Sequence, residues 1–317
     1  MKYREFGSTG LQVSEIAFGG ASISGEGGGY GFGDICEQEA IDLLKCSYEQ
    51  GINIYDTAPV YGYRLSEQRI GKAFKGLTDN IIIVTKGGVT WKDNKRIYLD
   101  NEPAVIEKML HQSLQDLDRE YIDLYLVHYP DPKVDIRRVM EILSKNKREG
   151  KIKFIGLCNT NLENYKKACE VESIEVLQSE FNLFASYPKE NLFELVKRDN
   201  LGFMSWGSLD KGILTGRVNR ERKKYDSSDF RSWAPWWKGE SFEFKLNVLD
   251  TIKKHFAATG HSLLDFALGY LLNYKEVSTA ICGFRNKDQL STIIQALDHV
   301  PNQNLIQEYT DIPKLYS

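Results

Sequence analysis

Four side chains in this sequence could cooperate in one reaction: Asp56, Tyr61, Lys86 and His128. Three of them end short apolar runs of strand character. Asp56 begins the stretch Asp56-Thr57-Ala58-Pro59-Val60-Tyr61-Gly62, Lys86 follows Val84-Thr85, and His128 follows Leu126-Val127. Taken singly, each has a plain structural reading as a helix-capping Asp, a packed Tyr, a rim Lys or a satisfied His. Together they make a set for proton chemistry on an oxygen. A phenol, with a pKa of about 10, donates poorly near neutrality. A neighbouring ammonium such as Lys86 favours the phenolate and eases the transfer. A buried ammonium needs a counter-charge, which Asp56 can supply. His128 can hydrogen-bond the substrate oxygen and orient it. The expected reaction is reduction of a carbonyl. No side chain delivers a hydride, so a nicotinamide cofactor must.

Bringing these residues together requires strands that end at one mouth. Eight strand-like runs occur: Ile16–Phe18, Ile52–Tyr55, Ile81–Thr85, Ile122–Val127, Phe154–Leu157, Val176–Gln178, Phe203–Trp206 and Ser278–Cys282. Their near-continuous hydrophobicity suits parallel strands covered on both faces. Helical spacing marks Glu37–Gln50, Pro103–Leu117, Arg137–Glu149, Leu162–Cys169, Leu192–Arg198, Leu263–Leu272 and Lys287–Leu297. This alternation predicts an α/β fold, a (β/α)8 TIM barrel whose catalytic groups sit at the C-terminal strand ends. Lys2–Phe6 and Gln12–Ser14 predict an N-terminal β-hairpin plugging one end. Nothing reads as a linker, so residues 1–317 are taken as one domain. The long connection after the seventh strand, 208–242, carries Trp233, Trp236 and Trp237. It is read as a partly ordered loop over the mouth, with packing against the barrel side as the alternative.

The 317 residues carry a formal charge of −3, with 42% hydrophobic and 27% charged residues. That balance offers no basic stripe for nucleic acid. No apolar run is long enough for a membrane span, and the N-terminus lacks a signal-peptide core. Five scattered cysteines without a CxxC suit reduced thiols in a cytoplasmic protein, and no Cys/His pair has metal-ligand spacing. The glycine-rich tract Gly25–Asp34 contains no registrable G-x-G-x-x-G and is read as a mobile first βα loop, with Tyr30 as a candidate substrate contact.

Several segments resemble the aldo-keto reductase superfamily: Gly51–Gly62, Ser66-Glu67, Gly71-Lys72-Ala73, Ser113-Leu114, Tyr121–Tyr125, His128–Asp131 and Gly212–Gly216. The resemblance implies a barrel that binds NADP(H) without a Rossmann domain. It implies Tyr61 as general acid, Asp56 and Lys86 as its activating pair, and His128 as orienter. It further implies a cofactor groove. Asn159 and Gln178 would hold the nicotinamide carboxamide, Trp206 would stack under the ring, and Cys158 and Gly207 would belong to the same groove. Leu209 and Gly212–Leu214 would line the pyrophosphate, and Gly283, Arg285 and Gln289 would approach the adenosine phosphate.

This chain departs from the family pattern in two places. Cys158 stands where Ser is usual, a weaker hydrogen-bond partner. Near the adenosine, Thr292-Ile293 replaces the common Glu-Asn. Arg285 favours NADP(H), because a 2′-phosphate wants a guanidinium, and NAD(H) or dual use stays open. Two other functions also stay open. One is a regulatory protein that binds cofactor but turns over little, and the other is a barrel enzyme using Lys86 as a Schiff base. The pocket aromatics Tyr30, Trp91, Tyr129 and Phe184 are compatible with aldehydes, ketones or sugar-type substrates.

Overall fold

In the computed structural model, eight parallel strands close a barrel. The residues described are 1–25, 30–77, 80–221, 225–234, 239–256 and 258–310. Trp236, Trp237 and residues 26–29 of the glycine tract lie outside them.

The barrel strands are Ile16–Gly19, Ile54–Asp56, Ile82–Gly87, Ile122–Val127, Ile152–Cys158, Val176–Glu180, Gly202–Trp206 and Thr279–Cys282. They pair in chain order, and Thr279–Cys282 closes the ring on Ile16–Gly19. The expected fold class and strand number are what is observed. The expected ends differ by a few residues. The second strand starts at Ile54, and the third and sixth run on to Gly87 and Glu180. Apolar runs do not distinguish a strand from the turn that enters it.

The pleat sorts the side chains. Ile54, Val84, Leu124, Leu126, Val176 and Met204 form one cluster inside the barrel. The alternate residues Tyr55, Ile83, Tyr125, Leu177 and Phe203 join the larger core under the helices. Burial on both faces explains why the runs read as continuously apolar.

Tyr3–Glu5 and Gln12–Ser14 form the expected antiparallel hairpin. Its Phe6 is 1% exposed and joins the interior cluster, as does Val13. Ser8 N–H donates to Asn200 O at 2.7 Å, at the entry to the seventh strand. Gly202 accommodates this plug: a Cβ there would lie 2.6 Å from Phe6 Cδ2. The hairpin thus seals the end opposite the strand termini.

Several elements had no clear sequence signal. Helix Leu65–Ala73 spans nine residues and buries the polar Ser66, Glu67 and Arg69. A second hairpin, Val89–Trp91 with Ile97–Leu99, follows the third barrel strand. The connection after the seventh strand is described at 207–221, 225–234 and from 239 onward. It contains 3-10 turns at Asp210–Thr215 and Phe230–Ser232, and helix Glu240–Phe256 begins within the predicted loop. A bridge between Phe32 and Asp229, and a bond from Phe230 N–H to Gly31 O at 3.0 Å, join this connection to the first βα loop.

Candidate active site

The period of two that fills the barrel also aims the polar residues. Asp56 lies two residues past Ile54, Lys86 two past Val84, His128 two past Leu126, Gln178 two past Val176 and Trp206 two past Met204. Each apolar residue lies in the interior cluster, so each successor points the same way, one layer nearer the mouth. The register carries this across strands: Asp56 pairs with Val84, and Lys86 pairs with Leu126.

Lys86 is fully buried. Its Nζ donates to both Asp56 carboxylate oxygens at 2.8 Å and to Thr57 O at 2.9 Å. A buried ammonium without such partners would be strongly unfavourable. Behind the same strand, Thr85 Oγ1 donates to Glu67 Oε1 at 2.7 Å. Burial raises the Glu67 carboxyl to about 7.

Tyr61 and His128 face one another edge to face, with ring centroids 5.8 Å apart and planes at 89°. Lys86 Nζ lies 5.1 Å from the Tyr61 ring centroid. Among the described residues the Tyr61 hydroxyl has no hydrogen-bond partner, and Tyr61 borders the central cavity. Burial holds this phenol well above its ordinary range, and the Asp56 charge acts in the same direction. The resting phenol is therefore protonated, while the Lys86 N–H groups are held by Asp56 and Thr57. Burial, aided by the Lys86 charge, holds His128 well below the ordinary imidazole range. His128 is therefore neutral near pH 7 and can donate one hydrogen bond.

The next three strand ends form a linked set. Gln178 Nε2 donates to Asp56 Oδ1 at 2.7 Å, and Gln178 Oε1 accepts from Cys158 Sγ at 3.4 Å. Asn159 Nδ2 donates to His128 O at 3.0 Å and to Cys158 Sγ at 3.1 Å. Trp206 Nε1 donates to Asn159 Oδ1 at 3.0 Å. Asn159 sits at φ +52°, a left-handed value that Asn tolerates better than most residues. The two amides expected to hold a carboxamide thus already bond within the protein, and a nicotinamide would exchange with these bonds.

A cavity of about 1020 Å³ runs from Asp56, Tyr61 and His128 past Cys158, Asn159, Gln178 and Trp206. It continues along Gly207, Leu209 and Gly212 to Gly283, Arg285 and Gln289. This volume and lining fit a dinucleotide with a small substrate. Leu214 is a correction: it is 1% exposed, packs in the core and does not line the cavity, whereas Thr215 does. The chain reverses at Lys211 and Gly212, φ +55° and +104°, and turns Leu214 inward. Trp91 is another. It lines a separate, smaller pocket and packs on Tyr63 at 5.3 Å. Tyr30, Tyr129 and Phe184 border the main cavity as expected.

Arg285 is engaged differently from the expectation. Its Nη1 and Nη2 donate to the carbonyls of Gly33 and Asp34, gripping the first βα loop. Arg69, from helix Leu65–Ala73, donates to Ile23 O and Ile35 O at the two ends of that loop. Arg217 was missed in the sequence. It borders the same end of the cavity, 3.4 Å from Thr292 Oγ1, and its only signal is its place directly after Gly216. Glu180, paired with Lys211, was missed as well; it extends the sixth strand beyond the predicted end. Arg220, at the surface, is held by Glu243, Asn247 and Asp250.

The family model for the aldo/keto reductase family matches residues 15–312. The chain is 31% identical over 297 residues to the aldo-keto reductase YhdN of Bacillus subtilis, covering 92% of this chain and 88% of that protein. It is 25% identical over 312 residues to the NADH-specific methylglyoxal reductase of Escherichia coli, covering 94% of each. Among solved structures, glycerol dehydrogenase AKR11B4 from Gluconobacter oxydans superposes with a TM-score of 0.86 at 28% identity, over 99% of this chain and 95% of that one.

Proposed function

Because this chain belongs to the aldo/keto reductase family, and is thereby an NAD(P)H-dependent oxidoreductase that reduces carbonyls, we propose that Tyr61 is its general acid and that NADP(H) is preferred, with NAD(H) also used. A nicotinamide bound in this cavity would supply the hydride. Tyr61 donates its proton to the carbonyl oxygen as charge develops there. Lys86, an ammonium held by Asp56 and 5.1 Å from the ring, stabilises the phenolate left behind. His128, neutral and edge-on to Tyr61, donates to the same oxygen and sets its direction.

One observation carries this reading. The Tyr61 hydroxyl, with no protein partner among the described residues, borders the same cavity as His128, whose ring lies edge to face with it at 5.8 Å. A regulatory barrel that only binds cofactor has no need of that pairing. The Schiff-base alternative is disfavoured because Lys86 has its amine paired to Asp56 at 2.8 Å.

The preference for NADP(H) is supported by Arg217 and Arg285 at the distal end of the cavity. Arg285 must trade its loop carbonyls for a phosphate, which narrows the preference and favours dual use. Relatives named for NADH and for NADP(+) are both found. The substrate is a small-molecule aldehyde, ketone or sugar-type carbonyl, read from a cavity lined by the aromatic Tyr30, Tyr129, Phe184 and Trp206 and by the polar Glu180 and Lys211. We also read residues 1–317 as one domain of a cytoplasmic protein.

The test is a titration with NADPH and with NADH, followed by tryptophan fluorescence, alongside turnover of Tyr61→Phe. Saturable binding of both, tighter for NADPH, is expected. The variant should lose about 10²–10⁴-fold in carbonyl reduction with cofactor affinity kept. Full activity of that variant would overturn the assignment of the acid, and tighter NADH binding would reverse the cofactor preference.

A further inference from the structure

The turn that carries Tyr61 is held in a conformation its residues do not favour. Gly62, Tyr63 and Arg64 have φ of +62°, +53° and +84° in succession. Gly62 suits its place, since a Cβ there would lie 2.1 Å from Ser24 O. Tyr63 and Arg64 carry side chains, and L residues avoid this left-handed region.

Arg64 also closes the turn. Its N–H donates to Pro59 O at 2.7 Å, which leaves Tyr61 inside the loop so formed, and Ser66 N–H donates to Tyr61 O at 3.3 Å. The Arg64 side chain is anchored elsewhere. Nε and Nη2 meet Asp116 Oδ2 and Oδ1 at 2.5 and 2.6 Å, a bidentate pair. Asp116 is 6% exposed, ends helix Pro103–Asp116 and also accepts from Gln68 Nε2 at 3.1 Å. Tyr63 is held on the other side, its hydroxyl donating to Lys95 O at 3.1 Å.

We propose that Arg64 is a positioning residue: its ion pair with Asp116 holds the left-handed turn 62–64 closed and thereby fixes the Tyr61 phenol at the cavity. This rests on Tyr61 acting as the proton donor. Without the pair, Arg64 relaxes toward negative φ, its bond to Pro59 opens and Tyr61 loses its fixed direction. Glycine accepts this φ without an anchor, so Arg64→Gly separates the shape of the turn from the side chain that enforces it.

The experiment compares Arg64→Ala, Asp116→Asn and Arg64→Gly, each alone and combined with Tyr61→Phe. It reads kcat, KM, NADPH affinity by fluorescence, and thermal midpoint. Arg64→Ala and Asp116→Asn are expected to lower kcat about tenfold, with KM and cofactor affinity within about threefold of the parent. Arg64→Gly should recover to within about threefold of the parent kcat. In the Tyr61→Phe background, Arg64→Ala should cost nothing further, because both changes act through one group. Parent-like kcat in Arg64→Ala, a loss that persists without the Tyr61 hydroxyl, or Arg64→Gly falling as far as Arg64→Ala would each overturn the proposal. A fully active Tyr61→Phe would instead remove the proton-donor reading, whatever Arg64→Ala does.

Discussion

Gln178 Nε2 lies 2.7 Å from Asp56 Oδ1, the same oxygen that accepts from Lys86 Nζ at 2.8 Å. A residue expected to bind cofactor is thus also bonded to the proposed catalytic pair. A hydrogen bond to a charged group contributes about 1.5–3 kcal/mol. Gln178→Leu should therefore destabilise the cofactor-free protein by about that much in urea unfolding. Unchanged stability would mean that this bond does not form without cofactor.

The Lys86–Asp56 pair should behave asymmetrically. Asp56 is 3% exposed, so Lys86→Met leaves a buried carboxylate without its counter-charge. The expected loss is about 3–5 kcal/mol, along with activity. The double change Lys86→Met with Asp56→Leu should recover much of the stability and none of the activity. Chemical denaturation of both variants decides this.

His128 makes a prediction about acid stability. Burial depresses its folded pKa below the ordinary 6.5. Below that pH the unfolded chain takes up a proton that the folded protein refuses. Stability is then fully present above the ordinary value and lost as pH falls toward the folded one. His128→Asn should flatten the fall in thermal midpoint between about pH 7.5 and 5.5. An equal slope in both proteins would contradict a buried neutral imidazole.

Glu67 has the opposite sign. Its carboxyl is raised from 4.5 to about 7 by burial, with the bond from Thr85 opposing. Its contribution is fully present below the ordinary value and lost as pH rises through the folded one. Glu67→Gln keeps the shape and cannot ionise. It should gain on the parent between about pH 5 and 8, by an amount on the order of 3 kcal/mol. Parallel stability curves would place the Glu67 titration elsewhere.

Much of the molecule was legible from local pattern. Alternation with a period of two is a property of each strand alone. It continues from Ile54 to Asp56, Val84 to Lys86 and Leu126 to His128, so the barrel and the convergence of these residues could be read before any contact was known. The hairpin that plugs the barrel was legible for the same reason, from two short runs around Ser8-Thr9-Gly10. Helix Leu65–Ala73 was not, because it is only nine residues long and buries the polar Ser66, Glu67 and Arg69, which a hydrophobicity pattern reads as solvent-facing.

What the sequence determined by itself is therefore the repeat of strand and helix and the chemistry at the strand ends. Both depend on residues a few positions apart. Only the tertiary structure decided which partner each polar group takes. Gln178 reaches Asp56 across 122 positions, Arg285 turns to Gly33 and Asp34 from 252 and 251 positions away, and Leu214 is drawn into the core rather than to the groove. A hydrogen bond is set by an approach of about 3 Å, and no local pattern encodes that distance between segments so far apart in the chain.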